Sequence, residues 1–120
     1  MKILVVDDSK VMRSIVLRNV KGVAGDGHEF CEACNGVEAL AAVEAGGIDL
    51  VLSDWNMPEM NGYECLLALR AKGNAIRFGF VTSEGSEEMR ARAQGAGALF
   101  LLAKPFSPEM FKEALGPVLA

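Results

Sequence analysis

Ile3-Leu4-Val5-Val6-Asp7-Asp8-Ser9 sets four consecutive apolar residues directly against two carboxylates. The arrangement returns along the chain. Ile48–Leu52 leads to Asp54, Ile76–Val81 leads to Thr82, and Leu99–Ala103 leads to Lys104. Short runs that are apolar almost throughout, rather than alternating, suit strands covered on both faces, as in parallel sheets. The polar residue after each run then falls at the C-terminal end of a buried strand, the edge where open parallel sheets bind ligands. Carboxylates gathered there repel: two unit charges about 5 Å apart cost roughly 3 kcal/mol at an effective dielectric of 20. A cation among them is expected, and a divalent metal is the simplest choice.

Between the apolar runs lie segments of helical spacing. The pattern predicts strands at 3–6, 28–33, 48–53, 76–81 and 98–103. It predicts helices at about 9–21, 36–45, 62–72, 86–95 and 107–119. Val37, Leu40, Ala41 and Val43 keep helical spacing in the second helix, as do Tyr63, Leu66, Leu67 and Arg70 in the third. Asn35-Gly36, Gly46-Gly47, Asn61-Gly62 and Gly73-Asn74 punctuate the boundaries. Ser107 before Pro108 and Glu109 is a good helix start, with Ser as the cap and Pro in the first turn. Five β/α units imply an α/β fold, a five-stranded parallel sheet with helices on both faces. Residues 1–120 are read as one domain without a repeat or a linker.

Composition narrows the class. The 120 residues are 51% hydrophobic, enough for a real core, and the formal net charge is −4. With no Lys/Arg run, direct nucleic-acid binding is not expected. The apolar run before Asp7 is too short for a signal peptide, and no stretch approaches the ~18 apolar residues of a membrane span. The expectation is a soluble cytoplasmic protein with no membrane partner. Three cysteines fit a reducing compartment. Cys31-Glu-Ala-Cys34 has redox-pair spacing, but Cys31 falls within a strand rather than at a helix start, which disfavours that role. Cys65 reads as core.

Each polar strand end has a plain alternative. Asp7-Asp8-Ser9 could simply cap the following helix. Thr82 could be an ordinary β-branched strand residue, and Lys104 could extend to solvent. Asp54 resists this treatment, because it ends a central strand with no basic neighbour in sequence. Hard oxygen donors in this number suit Mg2+, which takes one or two carboxylates, waters and phosphate oxygens. Thr82 could hydrogen-bond a phosphoryl oxygen. Lys104, before Pro105 in a bond that tolerates the cis form, could pair with Asp54 and later with a phosphoryl group. Three carboxylates, a hydroxyl and an ammonium make a site for phosphoryl transfer to a carboxylate.

The stretches Ile3–Ser9, Ser53-Asp54-Trp55-Asn56-Met57-Pro58-Glu59-Met60-Asn61-Gly62, Val81-Thr82-Ser83-Glu84 and Lys104-Pro105-Phe106 resemble a response-regulator receiver domain of two-component signalling. The resemblance spans the whole chain and is closest to stand-alone CheY-like chemotaxis regulators. It implies the strand order 2-1-3-4-5. It implies that Asp54 is the phosphoacceptor, served by a sensor histidine kinase. Asp8 and Asp54 would bind Mg2+ directly, Asp7 mainly through water, and the Asn56 backbone carbonyl would be a further ligand. Thr82 would swing toward the phosphoryl group, Lys104 would ion-pair with it, and Asn56 and Glu84 would tune its lifetime. A downstream target, flagellar-switch-like or other, would bind on the fourth helix, fifth strand and fifth helix, and a phosphatase could act on the product. The chain would not be an enzyme beyond its own phosphorylation and slow autodephosphorylation.

One position departs from that pattern. Receivers of this type carry Tyr or Phe three residues before the Lys, and here Leu101 stands there. Phe100 is adjacent but, on a strand, should face the other way. The apolar Leu99–Leu102 run favours a covered or interacting edge. Within the same resemblance, a phosphate sink, a relay shuttle and a phosphorylation-independent scaffold stay open. A haloacid-dehalogenase-like phosphatase needs a second Asp two residues after its nucleophile, but Ser9 follows Asp7 and Asn56 follows Asp54. A flavodoxin-like protein needs a phosphate loop that Asp7-Asp8 would repel.

Overall fold

The structure, a computed structural model, describes residues 1–119; residue 120 lies outside the described residues. The elements alternate strictly: β1 Lys2–Val6, α1 Lys10–Ala24, β2 Glu29–Ala33, α2 Gly36–Glu44, β3 Leu50–Ser53, α3 Gly62–Ala71, β4 Arg77–Thr82, α4 Glu87–Gly95, β5 Leu101–Ala103 and α5 Pro108–Leu119. All strand pairings are parallel and the order is β2-β1-β3-β4-β5.

The order fixes which face each helix covers, because β-α-β crossovers are right-handed. The step from β1 to β2 runs one way across the sheet; every later step runs the other. α1 therefore covers one face and α2, α3 and α4 the opposite one, while α5, which leads to no further strand, packs beside α1. The core divides accordingly. Ile3, Val5, Leu50, Leu52 and Val81 pack against Val16 and Val20 of α1 and Phe111 and Leu115 of α5. Leu4, Val6, Val51, Phe78 and Phe80 pack against Ala39, Val43, Leu66, Leu69 and Ala93. Successive strand residues alternate between the two clusters, as the period of a strand requires.

Each helix starts where its sequence supplies an oxygen for the free N–H groups of the first turn. Ser9 accepts from Met12, Asn35 from Glu38, and Ser86 from Met89. Asn61 and Glu64 form a reciprocal capping box. At α5, the Ser107 hydroxyl accepts from the Met110 N–H at 3.3 Å. Among the described residues, no helix is long and apolar enough to cross a membrane.

Some expectations shift. β5 is three residues long, not six, and Leu99 is exposed. Its backbone still runs beside β4, with the Leu99 N–H donating to the Phe78 carbonyl. Phe100 turns to the α1/α5 side, where its ring lies over Gly79; a Cβ at Gly79 would meet the ring at 2.5 Å or less. The buried side of α2 is Gly36, Ala39 and Val43, with Val37 exposed. The cause is tertiary: the Gly36 N–H donates to the Met60 carbonyl at 2.9 Å, and a Cβ there would lie 2.5 Å from that oxygen. In α3 the buried set is Cys65, Leu66 and Leu69, with Leu67 largely exposed.

Candidate functional site

The site follows from register. Val6 pairs with Ser53, so Asp7 and Asp54 come next, side by side, just past the ends of β1 and β3. Backbone bonds carry the ladder over this edge: the Asp7 N–H donates to Ala33, Asp54 to Val6, and Lys104 to Thr82. β1 and β3 are also where the chain changes direction across the sheet, since the helices after them leave to opposite faces. That switch point opens the crevice. Asp7, Asp8, Asp54, Thr82 and Lys104 all line one cavity of about 180 Å3, together with Ser9, Met12, Ser83 and Phe106.

The three carboxylates each bring an oxygen within 4.8 Å of the others. Capping does not account for them. Ser9 caps α1, and Asp7 Oδ1 merely accepts the Ser9 N–H at 2.9 Å, so Asp8 has no capping duty. Burial pushes the Asp7 carboxyl up to about 6, with the charges of Asp54 and Asp8 adding to the effect. Asp54 is also raised, chiefly by burial; N–H groups of Trp55 and Asn56 and the Thr82 hydroxyl, which face it, pull the other way. Both shifts mark a site short of positive charge. Among the described residues the ion pairs are Arg13–Glu32, Lys72–Glu44 and Arg92–Glu88, and none supplies a cation to the cluster. Lys104 lines the cavity but is exposed, and the pairing with Asp54 that its position allows is not made here. The donor set therefore fits a hard divalent cation.

The remaining residues have distinct positions. Thr82 is buried, and its hydroxyl accepts the Glu84 N–H at 3.3 Å. Asn56 is exposed at the rim. Ser53 is buried and donates to the Asp54 carbonyl at 2.7 Å, away from the cavity lining. Trp55 is 7% exposed, its ring stacked on Tyr63 at 4.9 Å and tilted against Phe80 at 4.8 Å. Its backbone N–H donates to Asp54 Oδ1 at 2.7 Å, so the residue that carries the indole is bonded to that carboxylate through its main chain. The Lys104–Pro105 bond is cis.

Gly62 and Arg13 shape the site without lining it, and Arg90 lies outside its cavity, at the β5 edge. Gly62 sits so close beneath the Asp54 carbonyl that any Cβ would overlap it, and it would also lie 2.9 Å from Ser53 Oγ. Arg13 donates to the Asp7 carbonyl at 2.7 Å and to Glu32 at 2.9 Å, bracing the first carboxylate loop against β2. Arg90 donates to the Leu101 carbonyl. Gly62 follows a cap residue and so carried a local signal; the two arginines act across the fold and carried none. The cysteines are free, Cys65 is buried, and Cys31 and Cys34 lie outside this cavity.

A doubly covered parallel sheet with an acidic triad at its switch point, and Thr and Lys on the next two strand ends, defines a receiver. The chain belongs to the family of response regulator receiver domains, whose pattern it matches over residues 3–116. It is similar to the chemotaxis protein CheY homolog of Campylobacter jejuni, at 38% identity covering 99% of this chain and 92% of the relative. Among solved structures it resembles the chemotaxis protein CheY4 of Vibrio cholerae, with a TM-score of 0.82, 34% identity, and 98% and 97% of the two chains covered. The receiver domain of the Francisella response regulator 1452 also superposes, with a TM-score of 0.82 and 25% identity over 98% and 95% of the two chains.

Proposed function

We propose that this protein is the phosphoacceptor of a two-component pathway of the chemotaxis type. A sensor histidine kinase is the donor, Asp54 the acceptor, and Mg2+ the metal. The observation that carries this is the single cavity holding Asp7, Asp8, Asp54, Thr82 and Lys104. A carboxylate oxygen of Asp54 attacks phosphorus as the N–P bond of the phosphohistidine breaks; the imidazole nitrogen keeps the bonding pair and is protonated from solvent. Asp8, Asp54 and the Asn56 backbone carbonyl would hold Mg2+, with Asp7 acting through water, and the bound ion would supply positive charge for the transferring group. The Lys104 ammonium neutralises the phosphoryl oxygens from the other side, and the Thr82 hydroxyl donates to one of them. The chain's only catalysis is its own phosphorylation and slow hydrolysis of the aspartyl phosphate. Three free cysteines fit work in the reducing cytoplasm.

The output reading rests on the edge around β5. Two open grooves, of about 270 and 360 Å3, flank Arg90; one is floored by Ala98–Leu101 and the other by Leu102, Met110 and Ala114. A downstream protein, as in chemotaxis, is proposed to bind there. Titration of Mg2+, then beryllofluoride, against Trp55 emission tests the input half. A saturable change at each step is expected, since the Trp55 backbone N–H donates to Asp54 and the indole follows it in sequence. A flat response to both would contradict the proposal and favour a scaffold that binds without modification.

A further inference from the structure

Leu101 cannot serve as a polar or aromatic reporter of the site: it is aliphatic, 7% exposed, and packed with Ala93 in the core. Another side chain does span the gap between the Thr82 loop and the sheet edge. Arg90 lies one turn into α4, its N–H bonded to the Ser86 carbonyl, and is solvent-exposed. Its Nη1 nevertheless donates to the Leu101 carbonyl at 2.9 Å. β5 is the last strand of the sheet, so this guanidinium occupies an edge acceptor that no strand satisfies.

Beneath it runs the loop from Thr82 to α4. A Cβ at Gly85 would lie 2.7 Å from Ala103 Cβ, 3.2 Å from Leu101 Cδ2 and 3.3 Å from Arg90 Nη2. Only a residue without a side chain lets the loop lie between β5 and the guanidinium. The loop's other end is held by the Thr82 hydroxyl, which accepts the Glu84 N–H and faces Asp54. Thr82 thus links Asp54 to Glu84, and the next residue, Gly85, leaves no room for a side chain against Leu101, Ala103 and the Arg90 guanidinium that is bonded to Leu101.

We infer that Arg90 is a positioning residue that latches the unmodified state, coupling the Asp54 site to the β5 edge in place of an aromatic switch. The inference rests on the phosphoreceiver reading above. When the Thr82 hydroxyl turns to a phosphoryl group, the Glu84 N–H loses its acceptor and the loop moves. Gly85 moves with it, and the Arg90–Leu101 bond breaks. A contact made only in the unmodified state opposes modification, and its loss must favour the modified state by the same factor.

The test measures the affinity for beryllofluoride at saturating Mg2+, by Trp55 emission, in wild type, Arg90→Met and Arg90→Lys. Arg90→Met should bind about fivefold or more tightly, the lower end of typical coupling, with Mg2+ affinity unchanged. Arg90→Lys keeps a donor and should stay near wild type. In the wild-type protein, the Arg90 side-chain NMR signals should shift on adding beryllofluoride and not on adding Mg2+ alone. A merely structural Arg90 would lower resistance to urea without moving either readout. Unchanged or weaker beryllofluoride binding by Arg90→Met overturns the latch while leaving the receiver reading standing. A wild-type protein that ignores beryllofluoride overturns both.

Discussion

At the scale of single residues, Asp7 and Asp54 divide the work through their surroundings. Both are raised by burial, but Asp7 accepts one N–H, from Ser9, whereas Asp54 is faced by two N–H groups and a hydroxyl, donors that favour its charged, nucleophilic form. Asp7 holds its proton up to about 6. A metal must displace that proton, so Mg2+ affinity should fall by about tenfold for each pH unit below about 6. Fluorescence titrations of Trp55 at several pH values between 5 and 8 check this; a flat affinity across the range contradicts it. Stability carries the complementary sign. A carboxyl whose native value is raised binds a proton that the unfolded chain has released, so metal-free stability falls as pH rises from about 4 to about 6. Asp7→Asn removes that penalty. The metal-free variant should resist urea better than wild type at pH 7, with the gap closing toward pH 4. Equal curves at both pH values would show that Asp7 is not strained.

At the scale of elements, two glycines let neighbouring groups approach more closely than a side chain would allow. A methyl at Gly62 would overlap the Asp54 carbonyl and crowd Ser53 and Phe80. Gly62→Ala should cost about 2–3 kcal/mol by overpacking and displace the acceptor. Urea unfolding should reveal the first effect, and loss of the Trp55 response to Mg2+ the second. The three atoms nearest a methyl at Gly79 all belong to the Phe100 ring, which can yield, so Gly79→Ala should cost less, about 1–2 kcal/mol. The succession of strands and helices along the chain was legible because apolar runs and turn or cap residues are local signals, while the order of the strands in the sheet came from the resemblance alone. Asn35, Asn61, Ser86 and Ser107 stand where their helices begin. The shortness of β5 was not legible, since its length depends on where Phe100 finds room over Gly79 on another strand. The buried face of α2 was likewise decided by a backbone contact with Met60, which α2's own periodicity cannot encode.

At the scale of the whole molecule, the sheet's register is the device that assembles the site. Asp7, Asp54, Thr82 and Lys104 could each be read from the sequence as strand ends. That the first two are neighbours follows only from the pairing of Val6 with Ser53. The arginines were hidden for the same reason: Arg13 and Arg90 reach backbone carbonyls brought close by tertiary packing. The same assembly links metal to folding. The unfolded chain scatters the three carboxylates, so Mg2+ at 100 times its dissociation constant should raise unfolding free energy by about 2.7 kcal/mol. Asp54→Asn should lose much of that gain. Thermal unfolding with and without Mg2+ measures it, and an equal gain in the variant would remove Asp54 from the metal site.

The central claim is that Asp54 accepts a phosphoryl group with Mg2+ present. Intact-protein mass after treatment with acetyl phosphate, in wild type and Asp54→Asn, tests it most directly. The account predicts a gain of one phosphoryl group in the wild type, dependent on Mg2+, and none in the variant. No gain in the wild type, or the same gain in Asp54→Asn, would contradict it.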